Sequence, residues 1–271
     1  MIKLEKYDSE RKNVTHIDGI TQEGVTDPIR VFLDDGQNAV VKYPCNNAGT
    51  IVLVREIIGS MIGDILQIPI PEYGICELSE TVISLAIEEE GEYFPLTTKN
   101  KGLCFYTKYY GNTTPCQYSW LKSINTRRYS SIVLYDYILN NDDRHDGNIL
   151  RTIDANDSIL CIDNSHIFTK ENDILNDISY ILSEKNVNSV AFYNKNKDLF
   201  DILLKDITPI ELIDMAIAIQ NVITKEVCDE IKRNIPKEWC NIIHAGYLDI
   251  IFSFILKRVE NIKNICLEIK E

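Results

Sequence analysis

The polar groups best suited to chemistry lie in two short stretches. The first is Leu139-Asn140-Asn141-Asp142-Asp143-Arg144-His145-Asp146-Gly147-Asn148-Ile149-Leu150 and the second is Ile159-Leu160-Cys161-Ile162-Asp163-Asn164-Ser165-His166-Ile167-Phe168. Apolar residues flank the polar ones in both, so the acids, amides and imidazoles fall on loops held by packed elements, as in a rigid site. Asp143 and Asn148 stand five apart, and Asp163 follows. The carboxylate of Asp163 and the amide oxygen of Asn148 are donors of the kind magnesium takes alongside phosphates and water. A nucleoside triphosphate brings such phosphates. Asp143 is then the carboxylate that accepts or orients the proton of an attacking hydroxyl, because phosphoryl transfer leaves a protein mainly positioning and electrostatic work. Taken alone, the first stretch also reads as an Asx turn braced by a histidine.

The order Asp143-Arg144-His145-x-x-Asn148-Ile149, followed by Ile162-Asp163-x-x-His166-Ile167-Phe168, resembles the motif pair of phosphatidylinositol-kinase-like enzymes and of HipA-type serine/threonine kinases. Chain length and the N-terminal pattern are more similar to the small HipA-like kinase domains of bacteria, and the resemblance covers most of the chain. It implies an α+β, bilobal, protein-kinase-like fold in a single domain over 1–271. Residues 1–110 would form a small β-rich lobe with one main helix, and 111–271 a larger helical lobe. It implies ATP and magnesium as cofactors, Asp143 as catalytic carboxylate, and Asn148 and Asp163 as metal ligands. His145 is open to two readings, a catalytic one as in inositol-lipid kinases and a loop-bracing one. The acceptor implied is serine or threonine of a protein; a lipid or small molecule is the alternative, as is a silent nucleotide-binding pseudokinase.

The elements that must position these groups can be read outward from them. Asp35-Gly36 between Ile29-Arg30-Val31-Phe32-Leu33 and Ala39-Val40-Val41-Lys42-Tyr43 is a hairpin signal. It puts Lys42 at a strand end, where a kinase has the lysine that pairs with the α- and β-phosphates. The fold implied by the resemblance brings that lysine to the pocket of Asp143. Upstream, Gln22-Glu23-Gly24-Val25-Thr26-Asp27-Pro28 stands where a phosphate-covering loop is expected. Gly24, Val25 and Thr26 could offer N–H groups and a hydroxyl, although the loop lacks the usual run of glycines. A helix over 50–66, stopped by Pro69 and Pro71, carries Glu56 as the candidate partner of Lys42. Strands are expected over 72–78, 81–87 and 103–110, with an exposed loop over 88–102. Backbone groups near Thr107 and Tyr109 would face an adenine ring.

A helix over 129–139 leads into the catalytic loop, and a hairpin around 154–157 returns the chain to Asp163. From 172 onward the pattern is helical, with a capping box and proline at Thr208-Pro209-Ile210-Glu211 and a second helix start at Thr224. The final helix, 247–269, has an apolar stripe from Ile250 through Cys266, read as lobe core, with partner binding as the sharper alternative.

Composition bounds the rest. With 45% apolar and 25% charged residues the chain is long enough for a full core, and a net charge of -13 argues against a broad nucleic-acid-binding face. Eight cysteines without a close Cys-x-x-Cys pair, and four scattered histidines, argue against a zinc site and suit reduced core thiols. No apolar signal core opens the chain and no apolar run spans a bilayer, so a cytoplasmic protein is expected.

Overall fold

The hairpin at Asp35-Gly36 sets the register of the β-rich part. Gly36 takes a φ of 81° and donates its N–H to the Leu33 carbonyl, while the Gln37 N–H reaches the Asp35 side chain. A left-handed φ is easiest for glycine. The computed structural model describes residues 11–21, 26–91, 94–153, 158–169, 178–181, 183 and 189–270. The chain divides into two compact units, one of residues 1–58, 71–111 and 234–243, the other of 59–70, 112–233 and 244–271.

In the first unit β1 (Lys12–Ile20), β2 (Ile29–Leu33) and β3 (Asn38–Lys42) run as an antiparallel meander. Helix α1 (Ile51–Ile65) begins in this unit, followed by β4 (Tyr73–Leu78), α2 (Glu80–Glu90) and β5 (Gly102–Lys108). The strands close a barrel in the order β1-β2-β3-β5-β4, through a short parallel pairing of β1 with β4. Alternate residues fill it: Ile29, Val31 and Leu33 on β2 meet Ala39 and Val41 on β3, all buried.

Residues 81–87, expected as a strand, are helical. Ser79 caps α2, accepting the Val82 N–H at 3.3 Å, and Ile83 and Ala86 fall on one face against the barrel. The β-branched run Thr81-Val82-Ile83 suggests a strand by local preference, but the cap and the helical spacing of the buried residues prevail. In the stretch expected as an exposed loop, α2 continues to Glu90, Leu96 and Asn100 are buried, and Thr98–Asn100 make a 3-10 turn.

In the second unit β6 (Thr113–Pro115) precedes α3 (Tyr118–Ser123) and α4 (Ser131–Leu139), and β7 (Ile149–Thr152) and β8 (Ile159–Cys161) follow. The three strands make a small sheet in the order β6-β7-β8, of which β6 was not expected. The β7–β8 turn at 154–157 lies outside the described residues. Helices α5 (Ala191–Lys195), α6 (Lys197–Leu203), α7 (Pro209–Val222) and α8 (Lys225–Asn234) come next. Thr208 and Glu211 form the expected capping box on α7. Helix α9 (Lys237–Cys240) belongs to the first unit, where the buried Trp239 ring donates its N–H to the Leu103 carbonyl at 2.9 Å.

The last helix, α10 (Tyr247–Lys270), packs on α7 and α4, and its stripe of Ile251, Phe254, Ile255, Val259, Ile262 and Cys266 is buried in the core of its own unit. Among the described residues no helix is long and apolar enough to cross a membrane. All eight cysteines are thiols outside any disulfide, and six are buried. Burial pushes the thiols of Cys161, Cys228 and Cys266 up to about 12, so they remain neutral core groups.

The cap distinguishes the helix from a strand over 81–87. Ser79→Ala should cost about 1 kcal/mol in urea unfolding, the usual worth of an N-cap. A strand there would make the same change nearly neutral.

Candidate active site

Helix α4 is the base of the site because it is buried through and through: every side chain from Ile132 to Leu139 is out of solvent, Asp136 included. A carboxylate placed there needs a partner. Arg144, eight residues on and equally buried, supplies it, with Nη2 at 3.0 Å from Asp136 Oδ1 and Nε at 3.1 Å from Oδ2. Asn141 adds a hydrogen bond from its amide to Asp136 Oδ1 at 2.9 Å. Asn140 ends the helix in the left-handed conformation, φ 50° and ψ 46°, which turns the chain so that Arg144 can point back under the helix end.

The same guanidinium then gathers the two motif loops. Its Nη1 donates to the carbonyl of Asn148 at 3.2 Å and to that of Ile162 at 2.6 Å, and Nη2 reaches Asn164 Oδ1 at 3.4 Å. The Ile162 N–H completes the joint by donating to the Asn148 carbonyl at 3.0 Å. Asn148 and Asp163 are thereby held on adjoining backbone. Burial alone pushes the Asp136 carboxyl up, against the pull of Arg144 and Asn141. It also works against the charge of Arg144, but Asp136 overrides it and holds the guanidinium above its ordinary value, so the arginine stays ionised.

Around this anchor the loop residues have defined places. Asp143, partly exposed, donates its N–H to the Asn141 side-chain oxygen at 3.2 Å. Asn148 donates its amide to the Asp143 carbonyl at 2.8 Å and approaches its carboxylate at 3.4 Å. His145 is exposed, and its Nδ1 accepts the Gly147 N–H at 3.0 Å, a local brace within the loop. Asp163 stands in the left-handed region at φ 60°, with Oδ1 accepting the Ser165 N–H at 3.0 Å and its hydroxyl as well.

In the first unit Lys42, at the end of β3, and Glu56, on α1, are brought together: Nζ lies 2.5 Å from Oε1 and both side chains are nearly buried. Thr26 is buried, and Asp27 beside it takes a hydrogen bond from Asn47 at 2.7 Å; Gly24 and Val25 lie outside the described residues. Thr107 sits in β5 opposite Val40 and Tyr73. The Tyr109 N–H is spent on the Asn38 carbonyl at 2.9 Å, and that of Lys108 on Glu72 at 2.7 Å, so these two amide hydrogens already serve the barrel.

Sequence reasoning gave no role to Asp136, nor to Asn141, Arg144 and Asn164, although these last three stand in the two motif stretches. The signal that could have found the first was a lone acid inside an apolar helix. Among the described residues no group of three or more His, Cys, Asp or Glu could hold a metal unaided. One carboxylate and one amide on adjoining loops instead suit magnesium, which draws its remaining ligands from phosphates and water.

A family model described as HipA-like kinase matches residues 14–265. The chain belongs to the HipA-like kinase family. A search of curated proteins gave no match. Among solved structures it is similar to a Helicobacter pylori proinflammatory kinase, CtkA, at 13% identity over 96% of this chain and 99% of that one, with a TM-score of 0.57. It is also similar to a Golgi casein kinase with Mn/ADP bound, at 11% identity over 97% and 75% of the two chains, TM-score 0.57. At such identities the likeness shows a kinase-like fold, mixed in helix and strand. Together with the family match it identifies a kinase-like phosphotransferase.

The Asp136–Arg144 pair predicts a definite energetic pattern. Arg144→Met should destabilise the chain by about 3–5 kcal/mol, because it strands a buried carboxylate. Adding Asp136→Leu should recover part of that loss in urea unfolding, since it removes the orphaned charge. A double variant no more stable than the single would contradict this account.

Proposed function

We propose that this HipA-like kinase transfers the γ-phosphoryl group of ATP to a hydroxyl, with serine or threonine of a protein as the first acceptor class. The observation that carries the reading is the joint made by Arg144, which ties the carbonyls of Asn148 and Ile162 together and so brings the backbone that bears the Asn148 amide beside the backbone that leads into Asp163, with Asp143 hydrogen-bonded to that amide. Asn148 and Asp163 would hold magnesium. When bound, the ion supplies charge neutralisation on the phosphate oxygens. Asp143 accepts or orients the proton of the attacking hydroxyl, and its partial exposure leaves it open to an acceptor.

Lys42, paired with Glu56, is the group suited to the α- and β-phosphates of a nucleotide. In this reading the β-rich unit is the nucleotide-holding half and the helical unit the catalytic half. Thr26, with Gly24 and Val25 before it, belongs to the phosphate loop, and Thr107 and Tyr109 to the adenine side. The Mn/ADP in the similar Golgi casein kinase supports nucleotide and divalent-metal use. No membrane-spanning helix among the described residues is compatible with a cytoplasmic enzyme.

One observation favours a second acceptor class. His145 is exposed beside Asp143, with Nδ1 occupied by Gly147, which presents the other ring nitrogen for proton handling, as in inositol-lipid kinases. Labelled ATP offered with a serine/threonine peptide pool and, separately, with phosphatidylinositol vesicles distinguishes the two. Nucleotide binding with transfer to neither would mark a silent module.

Magnesium-ATP at a hundred times its dissociation constant should stabilise the chain by about 2.7 kcal/mol, read as a melting shift. Asp163→Ala should remove most of the metal-dependent part. An equal shift in the variant takes Asp163 out of the metal site.

Asp143→Asn keeps the shape of the loop and deletes the proton acceptor. Turnover should fall by about 10²-fold or more, with ATP affinity nearly unchanged. Should affinity collapse while bound ATP still turns over, Asp143 is a ligand instead.

A further inference from the structure

Glycine in the middle of a helix is unfavourable, and Gly59 in α1 has a specific reason to be there. A Cβ at Gly59 would lie 2.6 Å from Cγ, 2.8 Å from Cβ and 2.9 Å from Nδ2 of Asn164. These approaches are far inside ordinary contact. The Asn164 side chain therefore fills the notch that the missing methyl leaves. It is held there from two sides: Tyr135 Oη lies 3.0 Å from Asn164 Oδ1 and also 3.0 Å from the Gly59 carbonyl, and Arg144 Nη2 approaches the same Oδ1 at 3.4 Å. Asn164 is buried, and it directly follows Asp163, whose backbone stands in the left-handed region.

We infer that Asn164 is the positioning residue of the Asp163 carboxylate, locked by the Gly59 notch and the Tyr135 hydroxyl. This deepens the proposed function and rests on its assignment of Asp163 to the metal. A left-handed aspartate is a conformation that surrounding structure must impose. On one side Asp163 is followed by Asn164, which cannot shift without striking α1 or leaving the Tyr135 hydroxyl, whose one proton it shares with the Gly59 carbonyl, and the Arg144 guanidinium. On the other it is preceded by Ile162, whose carbonyl is held by Arg144 at 2.6 Å. With both neighbours pinned, the backbone from which the carboxylate projects is fixed, and Ser165 holds its Oδ1 from that fixed base. Asn164 itself need touch neither nucleotide nor metal.

The test uses the full chain and Mn²⁺ as probe, its binding followed by electron paramagnetic resonance with ADP present, alongside ATP turnover. Asn164→Ala should raise the Mn²⁺ dissociation constant about tenfold or more, as loss of a supporting partner does, and lower kcat while the KM for ATP moves little. Gly59→Ala should weaken Mn²⁺ binding likewise and lower Tm, whereas alanine in an unobstructed helix would raise it. Tyr135→Phe deletes only the hydroxyl and should weaken Mn²⁺ binding about three- to tenfold.

Mn²⁺ binding within twofold of wild type in a folded Asn164→Ala chain overturns the inference. Should that variant not fold, the same result in Tyr135→Phe does so. If the wild-type chain itself neither binds Mn²⁺ with ADP nor turns over ATP, the proposed function fails and the positioning role falls with it. Binding in the wild type with indifferent variants defeats the positioning role alone.

Discussion

The structure of the second unit depends on one buried ion pair. Desolvating Asp136 and Arg144 is costly, and such a pair is seldom favourable unless nearly every donor and lone pair is matched. Here they are matched closely: Arg144 serves the Asp136 carboxylate, two backbone carbonyls and Asn164, and Asn141 serves the carboxylate from the other side. The carbonyls belong to Asn148 and Ile162, so the charge pair that closes the end of α4 is also what aligns the two motif loops. The same buried residues serve the core and the candidate site in this unit.

The first unit uses a charge pair differently. Lys42 and Glu56 are close and nearly buried, but the lysine keeps a little exposure, whereas Arg144 has none. A compact ammonium on a flexible stem can change partners when an anion arrives; a planar guanidinium with its donors occupied cannot. One pair is suited to meeting a ligand, the other to fixing a frame.

Much of this was legible in the sequence wherever local chemistry and tertiary packing agree. The Asp35-Gly36 hairpin, α1 with its proline stop, the Thr208 capping box and the stripe on α10 each have a strong local signal. Helix α2 was misread because its first residues are β-branched while its cap and buried face are helical. Strand β6 is three residues long and exists only by pairing with β7. Within the site, Asp143, Asn148 and Asp163 stand out by type and spacing. Arg144 and Asp136 do not pair by any local signal, because the helix ends between them and the turn at Asn140 decides where the arginine points. Asn164 reads as one more turn residue until Gly59 is seen to make room for it.

Three consecutive residues meet opposite environments. Asp143 is partly open to solvent, Arg144 is completely enclosed and His145 is exposed. Under the proposed function, substituting the outer two would disturb chemistry while sparing the fold; substituting the middle one would endanger the fold itself. A lineage released from selection for phosphoryl transfer would therefore be free to drift at Asp143 and His145 yet remain bound to its arginine. In any descendant of such a chain, that arginine would be the last trace of ancestry, kept by the cost of an orphaned carboxylate long after the reaction had gone.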